Sequence, residues 1–321
     1  MMRSGAVCAA LAAAWCVAIG ASTRATQVAP VPEAEPQQEA QPLFKSASEL
    51  VVLHVNVFDG DSDAVESLPQ SAFTVLEDER PQDITFFNSA DVPVAVGLVV
   101  DNSGSMITRR AMVLAGATAF ADSSHPEDEL FTVVFNENVR FGLPEMLRFT
   151  HSRPLLMAGL VRYPPGGKTA LFDAVIAALE HLSDAPHQKR VLIVLSDGDD
   201  NASRHSKDEM LNAATASDAL IYTVAQQTFT GGSIGDAKVM RRLAEVSGGL
   251  AYFPKSEKEV IDSFAEIAGN IRRGYSIGYV PTVAADGRYR RVKVMVRMPG
   301  RTNLSAHARH GYASADPGSA Q

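Results

Sequence analysis

Asp101-Asn102-Ser103-Gly104-Ser105 stands at the end of the apolar run Val94–Val100 and just before a helix-like segment. Alternate residues of a loop can turn the same way, so one carboxylate and two hydroxyls can converge there. Two further segments carry matching oxygen donors. Gly166-Gly167-Lys168-Thr169 precedes a helical pattern that begins at Ala170, and Ser196-Asp197-Gly198 closes the run Arg190–Leu195. Every donor in this set is an oxygen, which suits Mg²⁺ or Ca²⁺ and disfavours zinc. With Asp101 as the only direct carboxylate, a bound ion would keep net positive charge and attract an acidic group from outside. The competing reading of the pentapeptide is a helix cap, with Ser105 or Thr108 capping the helix that follows. Three such loops in the right order favour the metal.

The elements that must position these loops follow from periodicity. Apolar runs at Val94–Val100, Leu130–Phe135, Arg190–Leu195 and Leu220–Ala225 read as strands. Three of them, VAVGLVV, RVLIVLS and LIYTVA, are nearly continuous in apolar residues, the pattern of strands covered on both faces. Helical periodicity marks Thr108–Ser123, Leu155–Val161, Ala170–Leu182, Lys207–Ser217, Ala237–Ser247 and Glu257–Arg273. The alternation predicts an α/β domain over 92–273, a doubly wound, Rossmann-like and mostly parallel sheet. Ligands of such sheets bind beyond the carboxyl ends of the strands, at the switch point.

On either side the period falls to two. Residues 46–90 hold strand patterns at Leu50–Val57, Phe73–Glu77 and Ile84–Phe87. Residues 274–312 hold Tyr275–Pro281, Tyr289–Met298 and Asn303–Arg309. Each group is too small to be stable alone. The expectation is one small flanking β subdomain built jointly from N- and C-terminal strands.

The chain has 321 residues, 46% of them apolar, with a formal net charge of -8. It has core enough for a large domain plus a small one, and nothing in its charge suggests nucleic acid as a partner. Residues 1–25 read as a secretory signal. Arg3 is followed by the apolar run Ala6–Gly20, shorter than the roughly 20 residues that span a bilayer. Residues 26–45, rich in Pro, Glu, Gln and Ala, read as a disordered linker, and 313–321 as a disordered tail. The expected location is therefore outside the cytoplasm: periplasmic, extracellular or attached to the cell envelope, with no membrane span once the signal is cleaved. Both cysteines, Cys8 and Cys16, lie in the signal, so the mature chain has no disulfide, thiol nucleophile or thiolate ligand.

Other chemistry is absent or incomplete. A nucleotide-binding P-loop at 162–169 needs glycine at Arg162. No GxSxG nucleophile elbow occurs. The histidines have no metal spacing; His181 and His187 read as surface residues, and His205 has no partner histidine. Asp173 reads as a structural hydrogen-bonder, Asp199-Asp200-Asn201 as a solvated turn, and Gly231–Gly235 as a flexible rim loop. No general base is left uncommitted, so an enzyme is not expected.

Asp101–Ser105, Gly166–Ala174 and Ser196–Gly198 together resemble the von Willebrand factor type A domain and its metal-ion-dependent adhesion site. The wider layout resembles bacterial exported VWFA-related proteins of the acidobacterial type. Those have terminal segments similar to VVLHVNVFDG…FTVLEDERPQDITFF and YRRVKVMVRMPGRTNLSAHARHGYA. The resemblance implies Ser103 and Ser105 as direct ligands, with Asp101 bound directly or through water. It implies Thr169 as the second-loop ligand, Asp197 as a carboxylate held through water, and Mg²⁺ (or Ca²⁺ or Mn²⁺) as the ion. The implied function is adhesion or protein interaction through a partner's Asp or Glu; the alternatives are an envelope scaffold with a purely structural metal site and, last, a metal-assisted hydrolase. The partner and the oligomeric state are not legible.

Overall fold

The computed structural model describes residues 50–60, 63–225 and 236–315. The expected signal (1–25), the linker (26–45), the Gly231–Gly235 loop and residues 316–321 of the tail lie outside the described residues.

Five strands come first: β1 Val51–Asp59, β2 Asp63–Ala64, β3 Phe73–Glu77, β4 Arg80–Gln82 and β5 Ile84–Asn88. The α/β domain follows, with β6 Ala95–Asp101, α1 Arg110–Ser123, β7 Glu129–Phe135, β8 Val139–Phe141, α2 Arg153–Val161 and α3 Leu171–Ser183. It continues through β9 Arg190–Ser196, α4 Lys207–Ala216, β10 Leu220–Ala225, α5 Ala237–Ser247, β11 Ala251–Tyr252 and α6 Glu257–Arg273. The chain closes with β12 Tyr275–Tyr279, β13 Tyr289–Val296, β14 Leu304–His307 and β15 Gly311–Ala313.

The central sheet has the order β11-β10-β9-β6-β7-β8. All neighbours are parallel except β7 and β8. Every residue of β6 is buried, because helices cover both faces. Val96, Leu98 and Val100 pack with Val113, Leu156 and Phe264, from α1, α2 and α6. Ala95 and Val99 pack with Leu171, Met210 and Leu243, from α3, α4 and α5. This is the expected doubly wound arrangement. α1 and α6 approach closely at Gly116, where an added Cβ would lie 2.4 Å from the Phe264 ring. The expected helix start at Thr108 is corrected. Gly104–Arg109 forms a 3-10 turn and α1 begins at Arg110.

The flanking subdomain is built from both ends of the chain, as expected. One sheet has the order β14-β1-β12-β5 with β2 at the side of β1; the other runs β15-β13-β3-β4. The 46–90 segment is not a β unit in itself. β1 pairs with β12 over Val51–Val55 and with β14 over Asn56–Asp59. β3 pairs with β13, and β5 with β12. Among the described residues of the N-terminal segment, only β1–β2 and the β3–β4 hairpin pair locally. The ordered chain also passes the expected start of the tail at 313. Ala313 ends β15, and the buried Ser314 donates its N–H to Arg288 O at 2.9 Å.

Glu77 ties the two sheets together from a buried position. It accepts from Arg290 Nη1 at 2.9 Å, and from the hydroxyls of Tyr279 and Tyr312 at 2.7 Å each. The subdomain meets the α/β domain through Asn56 Nδ2, which donates to Tyr222 OH at 2.8 Å. Among the described residues no helix is long and apolar enough to cross a membrane.

His54, on β1, is 7% exposed and shares a hydrogen bond with Ser276 Oγ at 3.1 Å. Burial, then the charges of Lys189, Arg309 and Arg190, pull its pKa down to about 3. The unfolded chain therefore binds a proton between pH 6.5 and 3 that the folded chain refuses, so this contribution is complete above pH 6.5 and is lost on acidification. Urea unfolding of the wild type is expected to lose about 1.4 kcal/mol per pH unit through that window from this group alone. His54→Gln is expected to flatten the slope; an unchanged slope would show that another group carries it.

Candidate functional site

β6 and β9 are adjacent parallel strands, and the next strand lies on opposite sides of them. The crevice beyond their carboxyl ends is the switch point of the sheet. Asp101 is the last residue of β6, and Asp197 directly follows β9. Asp101, Ser103, Thr169 and Asp197 are all buried; Ser105 is exposed at the rim.

Asp101 holds two loops together. Its Oδ1 accepts from Ser103 N at 2.9 Å and its Oδ2 accepts from Ser196 Oγ at 2.7 Å. Ser196 Oγ in turn accepts from Gly198 N at 3.1 Å. The hydroxyls of Ser103 and Ser105 lie 3.2 Å apart. The helix-cap reading of this loop fails. Ser103 precedes the 3-10 turn without a side-chain cap bond, and the residue capping α1 is Arg109, again without one. Both hydroxyls stay at the site.

The second loop is docked onto the first and third by backbone groups. Gly104 N donates to Gly167 O at 3.1 Å and Gly166 N to Asn102 O at 2.8 Å. Thr169 N donates to Asn201 Oδ1 at 2.9 Å, while Thr169 O accepts from Asn201 N and Ala202 N, each at 2.9 Å. Gly167 has a φ of +87, and a Cβ there would collide with the Glu137 carboxylate, which accepts from Lys168 N at 2.9 Å. The expected ligand loops are thus contiguous, with Thr169 fixed between them.

Several positioning residues escaped the sequence reading. Asn102 donates to Pro164 O at 2.9 Å and is gripped by Arg110. Asn136 donates to Gly166 O at 3.0 Å. Asn201 fixes Thr169. Asp200, expected to be a solvated acid, accepts from Phe172 N at 3.0 Å and Ser203 Oγ at 2.6 Å, and so caps α3 from another loop. Asp173 has the structural role expected of it, accepting from Arg204 N and His205 N, each at 3.0 Å. His181 is corrected: its ring lies 4.6 to 5.0 Å from those of Phe131, Phe141 and Phe149, half-buried in an aromatic cluster.

Electrostatically the two acids of the site differ, because Asp197 has a cationic partner and Asp101 has none among the described residues. Burial pushes the Asp101 pKa up to about 6 against its hydrogen bonds, and Asp197 adds to the rise. The nearest cation is Arg109, whose Nη1 is 3.9 Å from Asp197 Oδ2. Burial and Asp197 also raise Asp199 above its ordinary value. Two close, buried carboxylates with hydroxyls at hand fit a hard divalent cation. Among the described residues no group of three or more His, Cys, Asp or Glu converges. The donor set is carboxylates plus hydroxyls, which leaves part of an ion's coordination to solvent or to another molecule.

Residues 96–199 match the family model described as von Willebrand factor type A domain. A von Willebrand factor type A protein from Catenulispora acidiphila superposes with a TM-score of 0.51 at 14% identity, over 84% of this chain and 74% of that one. BatB, a conserved hypothetical protein from Bacteroides thetaiotaomicron, gives 0.43 at 15% identity, over 55% and 98%. The vWF domain of the type V pili tip protein Mfa5 from Porphyromonas gingivalis gives 0.47 at 13%, over 57% and 96%. No curated protein sequence matches the chain.

In the metal-free protein the ionised Asp101 costs roughly 3 kcal/mol at pH 7, the free-energy equivalent of its displaced pKa. Because that pKa is raised, the chain is more stable below pH 3.8 and loses this contribution as pH rises through 6. Asp101→Asn is expected to stabilise the protein in EDTA at pH 7 by about 1–3 kcal/mol, with the gain vanishing below about pH 4. Urea unfolding at the two pH values checks it, and a destabilised variant at pH 7 would contradict it.

Proposed function

We propose, from the match of residues 96–199 to the von Willebrand factor type A domain, that the chain is an exported binding module rather than an enzyme. The module holds Mg²⁺, or Ca²⁺ or Mn²⁺, at Asp101, Ser103, Ser105, Thr169 and Asp197. Through that site it captures a carboxylate of a partner protein. The observation that carries the reading is the buried Asp101 carboxylate, its pKa raised by burial and by Asp197, beside two hydroxyls that no helix cap uses. When bound, the ion supplies positive charge and an open coordination position.

The chain's own residues do the rest. Ser196 and the Ser103 N–H fix both oxygens of Asp101, so its orientation is set in advance. Asn201 holds Thr169 against the third loop. Ile107, 52% exposed on the turn just after Ser105, offers an apolar contact beside the polar centre. Arg109 gives a partner carboxylate a second cationic contact, and its charge opposes uptake of the ion. Asp101 is committed to Ser196 and Asp197 to Arg109 and the Asp199 N–H, so neither of these two carboxylates is left free as a general base.

Calorimetric titration with MgCl₂ and MnCl₂ tests the reading. The wild type is expected to bind and to gain about 2.7 kcal/mol of stability at a hundredfold excess over Kd. Asp101→Ala should stay folded and bind neither ion, and EDTA should abolish capture of the partner from the native envelope. Equal uptake by wild type and Asp101→Ala would sink the reading. Arg109→Gln is expected to tighten cation affinity several-fold while weakening capture of an acidic peptide; unchanged values in both assays would remove Arg109 from the site.

A further inference from the structure

A cavity lies where α3 and α4 face the flanking strands, and none of the proposed metal-site residues lines it. Its volume is about 750 Å³, within the usual range for small-molecule sites. Leu50, Ile176, Leu179 and Ala213 give it apolar wall. Two guanidinium groups, Arg190 and Arg309, give it charge.

Those two arginines are not equivalent. Arg190 is neutralised by Asp218 at 2.8 Å and donates to Ala185 O at 3.1 Å. Arg309 has no carboxylate within ion-pair distance among the described residues. It donates to Val52 O at 3.1 Å and lies over the Tyr312 ring, 5.4 Å from its centroid. Both arginines keep a buried Nε–H with no hydrogen-bond partner. Leaving such groups unmatched costs free energy. Burial holds the Arg309 pKa below its ordinary value, and Arg190, Arg309 and Lys189 together repel a proton from His54 in the same wall. Asp218 partly offsets the burial of Arg309, but it forms its ion pair with Arg190. Glu180, the other acid of the lining, is exposed to solvent.

We propose that this cavity binds a small amphiphilic monocarboxylate, its head on Arg309 and its hydrocarbon body against Leu50, Ile176, Leu179 and Ala213. One uncompensated planar guanidinium matches one carboxylate in a two-bond fork, and the apolar wall asks for a chain of methylenes rather than a bare anion. A dianionic phosphate would need a second free cation, and Asp218 already occupies Arg190. The site is independent of the divalent-cation reading.

Calorimetry and thermal shift on the full chain test it, with sodium octanoate, octan-1-ol and inorganic phosphate as probes. Octanoate is expected to bind and raise Tm; octan-1-ol and phosphate are expected to bind at least tenfold more weakly, a difference of about 1.4 kcal/mol. Arg309→Gln removes the charge, and Ala216→Phe fills the cavity from α4 without touching any arginine; each should abolish octanoate binding. EDTA and Asp101→Ala should leave octanoate binding unchanged. The proposal is overturned if octanoate does not bind, if octan-1-ol or phosphate binds as well, or if either cavity variant binds octanoate like the wild type.

Discussion

A single carboxylate at the end of a buried strand organises the site. Asp101 sits where β6 runs out of sheet partners, and it spends both oxygens on holding two loops. That arrangement is costly without a positive charge nearby, as the raised pKa shows. The surrounding structure keeps the cost in place. The strand is buried on both faces, Ser196 comes from the neighbouring strand, and the second loop is clamped by Asn102, Asn136 and Asn201. Strain of this kind, held by a rigid scaffold, is what a binding site needs if its ligand is to find the groups already aimed.

The flanking sheets solve a different problem. Their strands are short and would expose most of their surface alone. The buried Glu77 joins β3 to β12, β13 and β15 by accepting from one guanidinium and two phenols. Removing one member of such a cluster leaves the others unmatched, at a cost on the order of 3–5 kcal/mol. The apolar side of the same unit is formed by Leu53, Val55, Phe73, Tyr275 and Ile277. β12 leaves α6 through Gly274 alone, so helix and strand share one short joint.

Much of this was legible in the sequence. Runs such as VAVGLVV and RVLIVLS announced strands covered on both sides, and α5 and α6 ended where periodicity ended. The proposed ligand residues were legible from spacing, because each lies at the end of a readable element. Their supports were not. Asn201 acts on a residue 32 positions away, through a backbone N–H that no side-chain pattern records. Arg109 faces Asp197 only because a 3-10 turn precedes α1 and shifts the start of the helix. β8 and β11 are too short to show a period, and exist because β7 and β10 offer them an edge. His181 looked like a surface residue because the phenylalanines around it, Phe131, Phe141 and Phe149, lie more than thirty residues away along the chain.

The pairing of β1 with β12 and β14 bears on the order of events in folding. Val51 meets Tyr279, and Asn56 meets His307. More than two hundred residues must be made before the first strand of the chain has a long-range neighbour. Contacts of such sequence separation close late, after the local α/β units have formed. The flanking sheet is therefore a clasp whose two halves lie on opposite sides of the α/β domain in sequence, and a chain cut short anywhere before β12 leaves β1 without its long-range partners.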